Sequence, residues 1–326
     1  GLVGGNIRDR SNFLDGYDIS ADRNSQYTFE ANLASDYAGA FNFMAGVFYL
    51  DANIENEYWV IGNGLDYFSV VFPAVPVALG GLVGVDGLGW VSPSFHSQTK
   101  NYELESWAVF GETYYQLSST LKLTTGLRYT LDNKDVQDAS NLLNYGPDGN
   151  PILQPFGANE KFTDLNPDRN DSDEWGEWTG RVVLDWSPQP GWSDETLVYG
   201  SLARGYKGGG FNPPFDPREF PNTSASFKPE FVNAVEIGNK NQLLGNRLQA
   251  NLTAFYYDYS DLQISRIINR TSFNDNTDAE IYGLESEFLF SPDGNWLLNA
   301  NLALLHTGIK DFQAVDTRDP TQGSSE

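Results

Sequence analysis

The sequence predicts an all-β protein, a transmembrane antiparallel up-and-down β-barrel, and two observations lead there. Strand-like segments are joined by very short turns at one end, near 35–39, 118–120, 187–194, 243–246 and 291–295. At the other end the connections are long, near 56–100, 132–174, 209–228 and 267–278. Outer-membrane barrels alternate in this way because one rim turns back tightly in the periplasm while the other carries the extracellular loops. The second observation is period-two patterning, which a wall between lipid and a wet lumen requires.

The segments can be justified in order. About ten strands are expected, at roughly 20–45, 41–56, 102–117, 121–132, 175–186, 195–209, 229–242, 247–266, 279–290 and 296–308. The first is the least defined, and 1–24 has room for a separate strand that Arg8, Asp9, Arg10, Asp15, Asp18, Asp22 and Arg23 make hard to place. From 121 to 131, Leu121, Leu123, Leu127, Tyr129 and Leu131 alternate with Lys122, Thr124, Arg128 and Thr130, and Thr125 is the one polar residue on the apolar side. Trp178, Val182, Leu184 and Trp186 oppose Thr179, Arg181 and Asp185; Phe231, Val235 and Ile237 oppose Glu230, Glu236 and Lys240. Leu248, Ala250, Leu252, Ala254 and Tyr256 oppose Gln249, Asn251, Thr253, Phe255 and Tyr257. Tyr282, Leu284, Phe288 and Phe290 oppose Glu285 and Glu287, and Trp296, Leu298, Ala300, Leu302 and Leu304 oppose Asn299 and Asn301. A packed core seldom accepts such charges, whereas a barrel interior does. Several segments exceed the roughly 9–11 residues that cross the hydrocarbon, and the surplus is expected to project outward as β-ribbon.

Trp and Tyr suit membrane interfaces, where one end of the ring system is apolar and the other wet. Trp186, Trp192 and Trp296 sit at the short-turn ends; Trp107, Tyr129, Trp175, Trp178 and Tyr259 lie towards the long-loop ends, so two aromatic girdles are expected.

Composition excludes several classes. The net charge of −24, with only 20 basic residues spread along the chain, argues against a nucleic-acid partner. Without cysteine there are no disulfides or thiolate sites, and His96 and His306 are too far apart to form a local ligand pair. No metal or cofactor site is expected. The apolar stretch 60–91 is broken by Pro73, Pro76, Asp66, Asp86 and several glycines, and reads as a loop rather than a spanning helix. No linker or repeat divides the 326 residues, and no signal peptide opens them, so a mature segment or a piece of one is expected.

Between 196 and 291 the sequence becomes specific. The run from Leu197 to Asn212, LVYGSLARGYKGGGFN, is followed by Phe227-Lys228-Pro229-Glu230 with Glu236-Ile237-Gly238. Next come Leu252 to Gln263, ending Tyr-Ser-Asp-Leu-Gln, and Ala279 to Glu285. These blocks, in this order, resemble the barrels of TonB-dependent outer-membrane receptors of the siderophore-receptor type. Phe110-Gly111-Glu112 with Thr125 to Thr130 resembles the family's preceding hairpin. The resemblance implies a barrel of about twenty-two strands, of which this chain supplies about ten. Residues 1–326 are accordingly expected to be a partial receptor barrel domain, with the plug domain and the C-terminal strands outside this sequence.

The resemblance also implies function: TonB-dependent active transport of a scarce solute, a ferric siderophore or similar, into the periplasm of a Gram-negative bacterium. The implied partners are outer-membrane lipid and lipopolysaccharide, TonB through a missing N-terminal region, and a small-molecule or glycan solute. Aromatics of the long loops, Tyr67, Phe72, Trp90, Tyr145, Phe156, Phe211 and Phe215 foremost, are candidates for stacking on that solute. Arg204, Gly205, Tyr206, Lys207, Gly209, Phe211 and Asn212 carry the family signature. Their glycines lack the strand-turn-helix setting of a phosphate loop and read as structural, letting a strand bend as it leaves the membrane. The loop 132–174 holds ten acidic residues against three basic, with Asp164, Asp168, Asp171, Asp173 and Glu174 densest, but without the order of a Ca²⁺ loop. No nucleophile elbow, His-Glu-x-x-His or cysteine is present, so no catalysis is expected. Two other classes compete: a passive porin-like channel, which should lack the signature, and a soluble glycan-binding or adhesion β-protein. Lumen-facing Lys122, Arg128, Arg181, Asp185, Glu285 and Glu287 speak against the second.

Overall fold

The structure, a computed structural model, describes residues 16–62, 91–145, 151–155, 169–214, 223–268 and 271–310. The strands in chain order are β1 (Gly16–Ala34), β2 (Phe41–Gly62), β3 (Val91–Gln116), β4 (Leu121–Tyr145), β5 (Pro151–Pro155), β6 (Arg169–Trp186) and β7 (Glu195–Lys207). They are followed by β8 (Gly210–Phe211), β9 (Ser226–Phe227), β10 (Glu230–Leu243), β11 (Leu248–Ile268), β12 (Thr271–Phe290) and β13 (Leu298–Lys310). Ten of them form one antiparallel path, β1-β2-β3-β4-β6-β7-β10-β11-β12-β13, while β5 pairs with the outer end of β4 and β8 pairs with β9. No helix occurs among the described residues. An antiparallel meander suits a membrane wall, because ladders between neighbouring strands satisfy backbone groups that lipid cannot.

Register confirms the two faces. Phe41, Tyr115, Leu123, Leu184, Gly200, Ile237, Ala254, Leu284 and Leu304 stand opposite one another across nine strands. Directly opposite residues share a face, so one apolar row runs across the sheet. Ile237 is 62% and Leu302 59% exposed, as side chains directed at lipid are in a bare chain. The other face is polar and better covered: Ser106, Thr124, Thr130 and Asp132 are all buried there. The polar intruder on the lipid side, Thr125, is matched across the ladder by Thr113, their hydroxyls 2.7 Å apart.

The apolar band ends on a row of Tyr49, Trp107, Leu131 and Gly176, and the next row on that face is Asp51, Glu105, Asn133 and Glu174. On β4 the band covers 121–131, the length a tilted strand needs to cross the hydrocarbon. Aromatic contacts mark its edge: Tyr49 with Trp107 (4.2 Å between centroids), Tyr129 with Trp178 (5.0 Å) and Tyr282 with His306 (4.6 Å).

Several boundaries differ from the sequence reading. The first strand ends at Ala34 rather than near 45, and strands continue into parts of the stretches expected as long loops. β2, β3, β4 and β6 run deep into 56–100 and 132–174 as β-ribbon. Of 267–278, expected as a loop, the described residues 267–268 and 271–278 are strand, with Ile268 paired to Thr271. Trp175 and Tyr259 do not join the girdle either. Each is one residue out of phase with the apolar row of its strand, and Trp175 is 9% exposed on the polar side.

Candidate functional site

β6 and β7 pair only from Gly180 and Arg204 down to Trp186 and Val198, so above that point the two strands part. The chain leaving β7 fills the opening. Residues 208–214 and 223–229 form a strap on the long-loop side of the membrane band, and the signature blocks at 197–212, 227–230 and 252–263 take part in holding it.

On the β4–β6 side the strap meets Lys134, whose Nζ donates to the Gly209 carbonyl at 2.6 Å while lying 5.3 Å over the Trp175 ring. Burial holds this ammonium below its ordinary pKa, although Asp132 pulls it upward. Tyr206 donates its hydroxyl to Asp132 at 3.0 Å. Gly209 must be glycine, because a Cβ there would stand 2.6 Å from the Phe227 carbonyl oxygen and 2.7 Å from the Trp175 ring. Phe211 packs its ring 6.3 Å from Trp175.

Asn212 is the peg of the strap. Its side chain is fully buried. Its Nδ2 donates to the Ser224 carbonyl (2.9 Å) and the Asn274 carbonyl (3.0 Å), while its Oδ1 accepts from the Asn274 N–H at 2.7 Å. Its own carbonyl accepts from Arg169. Arg169 in turn forks onto Asp138, Nε to Oδ1 at 2.9 Å and Nη2 to Oδ2 at 2.7 Å, with Asp171 at 3.3 Å. Burial pushes the Asp138 carboxyl above the usual carboxylate value, and Arg169 opposes that only in part.

On the β11–β12 side a bulge between Tyr259 and Leu262 puts Asp261 at φ 54°. It turns Gln263 so that its Nε2 donates to the carbonyls of Gly208 (2.9 Å) and Lys228 (3.0 Å). Lys228 Nζ donates to Asp261 at 3.2 Å, and Asn276 exchanges bonds with the Lys228 backbone at 2.7 and 3.0 Å. The Tyr-Ser-Asp-Leu-Gln motif is thus the irregularity that receives the strap. Sequence reading missed Asp138, Arg169 and Asn274; Gln263 was in view as the end of a signature block but without its role in holding the strap.

The remaining signature residues are close by. The Arg204 guanidinium lies 4.3 Å over Phe231 and donates to Asn233 at 3.4 Å, and Gly205 faces Val232. Lys207 stands opposite Glu230 in the β7–β10 ladder. Of the loop aromatics, Phe211 is in the strap and Tyr145 ends β4, whereas Tyr67, Phe72, Trp90, Phe156 and Phe215 lie outside the described residues. Within the acidic stretch 132–174, Asp138 and Asp171 are engaged by Arg169, and Asp164 and Asp168 lie outside the described residues. No group of three or more metal-ligating side chains occurs among the described residues. The arrangement braces and positions; it offers no nucleophile beside a base.

Comparison with known proteins fits this geometry. A family model described as TonB dependent receptor-like, beta-barrel matches residues 3–325. The ferric yersiniabactin uptake receptor FyuA from Yersinia pestis is similar in structure, with a TM-score of 0.59 at 15% identity over 90% of this chain and 37% of that one. The copper transporter OprC is similar with a TM-score of 0.52 at 21% identity over 89% of this chain and 39% of that one. The chain therefore spans less than two fifths of the length of either structure. The family is one of Gram-negative outer-membrane transporters, not enzymes. From its match over nearly the whole sequence and its single two-faced meander, this chain belongs to the TonB-dependent receptor β-barrel family.

Proposed function

We propose that the protein is an energised importer, which captures a scarce solute on the long-loop side and passes it to the periplasm when TonB acts on it. A ferric siderophore or a similar chelate is the cargo that fits best; the two structural neighbours are named for uptake of ferric yersiniabactin and for copper transport. Residues 1–326 serve as part of the barrel wall, with the plug and the C-terminal strands contributed from outside this sequence. The outer face contacts membrane lipid and lipopolysaccharide. Tyr67, Phe72, Trp90, Tyr145, Phe156, Phe211 and Phe215 supply rings for the solute. The observation that carries the reading is the two-faced sheet, apolar outward and charged inward, in a chain of this family.

Uptake by cells should be compared with and without a protonophore, using ferric chelates, cobalamin and oligosaccharides in turn. Accumulation that needs the membrane potential, with binding that does not, is the expected result. Transport that continues unchanged after de-energisation would assign the protein to the passive porin-like class instead.

A further inference from the structure

The polar face of β4 carries a cation that the sheet leaves without a counter-charge. Arg128 Nε donates to Thr130 Oγ1 at 2.9 Å, and the guanidinium lies 5.1 Å from the Phe48 ring centroid and 5.4 Å from that of Phe110. The Phe110 ring reaches this place because Gly46 has no side chain; a Cβ there would stand 2.5 Å from Phe110 Cζ. Three strands, β2, β3 and β4, therefore build the seat.

Neighbouring cations on the same face are treated differently. Arg181 Nη2 donates to both carboxylate oxygens of Glu112, at 2.7 and 3.0 Å, and Lys122 pairs with Asp185 at 3.1 Å. Arg128 has no carboxylate partner among the described residues, and its paired Nη edge meets no acceptor among them. Beside it lies a groove of about 430 Å³, with Gly126, Thr179, Ala203 and Ala234 among its lining and with Arg181 and Glu112 at its border. The lining holds three guanidiniums, those of Arg128, Arg181 and Arg204, against the one carboxylate of Glu112, which makes this spot locally positive in a chain of net charge −24.

Packing alone does not account for a guanidinium here, since an uncharged side chain of similar length would cover the two phenyl rings without the desolvation cost of a charge. A held guanidinium with its forked edge free matches a planar oxyanion, which it binds through two parallel N–H donors. We propose that Arg128 and this groove form a carboxylate-binding site on the inner wall. This goes beyond the uptake reading and needs only that the polar face is enclosed. The carboxylate comes either from another part of the protein or from a solute in the lumen, and the test separates these sources.

The intact protein carrying Arg128→Lys, which keeps the charge, is purified in detergent and checked for heat-modifiable migration. It is then treated with a zero-length carbodiimide, with and without citrate, and digested for mass spectrometry. The Lys122 and Asp185 pair serves as internal control, giving an amide with the mass loss of one water. An amide between the introduced amine and a carboxylate of the protein other than Glu112 supports the site with an internal occupant. A citrate adduct at the same amine supports it with a solute occupant. Formation of the control amide with neither product at position 128, or with an amide to Glu112 alone, would overturn the proposal.

Discussion

Asn212 and Asn274 are joined as two strand residues would be, with a side-chain amide standing in for one backbone: Nδ2 to the Asn274 carbonyl at 3.0 Å, and the Asn274 N–H to Oδ1 at 2.7 Å. A primary amide is the one small group that can both donate and accept in that geometry.

Asn212→Asp is expected to undo the strap. A carboxylate cannot donate to the Ser224 and Asn274 carbonyls, so two buried acceptors lose their partner at about 1–3 kcal/mol each. Trypsin cleavage after Lys207, at the start of the strap, should accelerate, with barrel migration unchanged. Cleavage at the wild-type rate would show that the peg does not hold.

Gly209→Ala should also loosen the strap, by roughly 1–3 kcal/mol, because the new methyl overlaps the Phe227 carbonyl and the Trp175 ring. Gly191→Ala, with nothing within 4 Å of the added atom, is the matched control and should be silent. Amide exchange at Asn212, whose N–H donates to Ala225, reads the difference.

The raised Asp138 pKa sets a pH dependence. Where a carboxyl titrates higher in the folded state than in the open one, the folded state binds more protons between the two values, so stability falls as pH rises through that window. Acidification from neutrality towards the ordinary carboxylate value should therefore slow the opening of the β4–β6 ribbon. Hydrogen exchange at Val136–Ala139, corrected for intrinsic rates, should show it, and Asp138→Asn should abolish the trend.

Sidedness can be read from tryptophan quenching. Trp107 and Trp178, 51% and 55% exposed on the apolar face, should be quenched by brominated lipid in vesicles, whereas Trp175, buried under the strap, should not. Quenching of Trp175 to the same depth would invert the assignment of faces. Single-tryptophan variants of the intact protein make the comparison direct.

The membrane-spanning parts of the fold were legible because lipid on one side and water on the other impose alternation, as at Leu248–Tyr257. Beyond the band both faces are wet, so the alternation fades while the backbone ladder continues. That is why 271–278, with Asn274 and Asn276, reads as a loop in sequence yet pairs as strand in the structure. The signature residues were visible as a motif, but their partners were not. Gly209 meets Lys134 across 75 residues and Asn212 meets Asn274 across 62, and no local pattern reports such contacts.

A meander in which each strand pairs with its sequence neighbours fixes every adjacent spacing and leaves the overall bend soft, since small changes of twist accumulate from strand to strand. The strap acts on that freedom as a chord acts on an arc. By tying Arg169 on β6 to Asn274 on β12, four ladders away, it sets the radius of this part of the wall. The curvature of this stretch of wall is then held by a handful of buried hydrogen bonds beyond the membrane band, on the long-loop side.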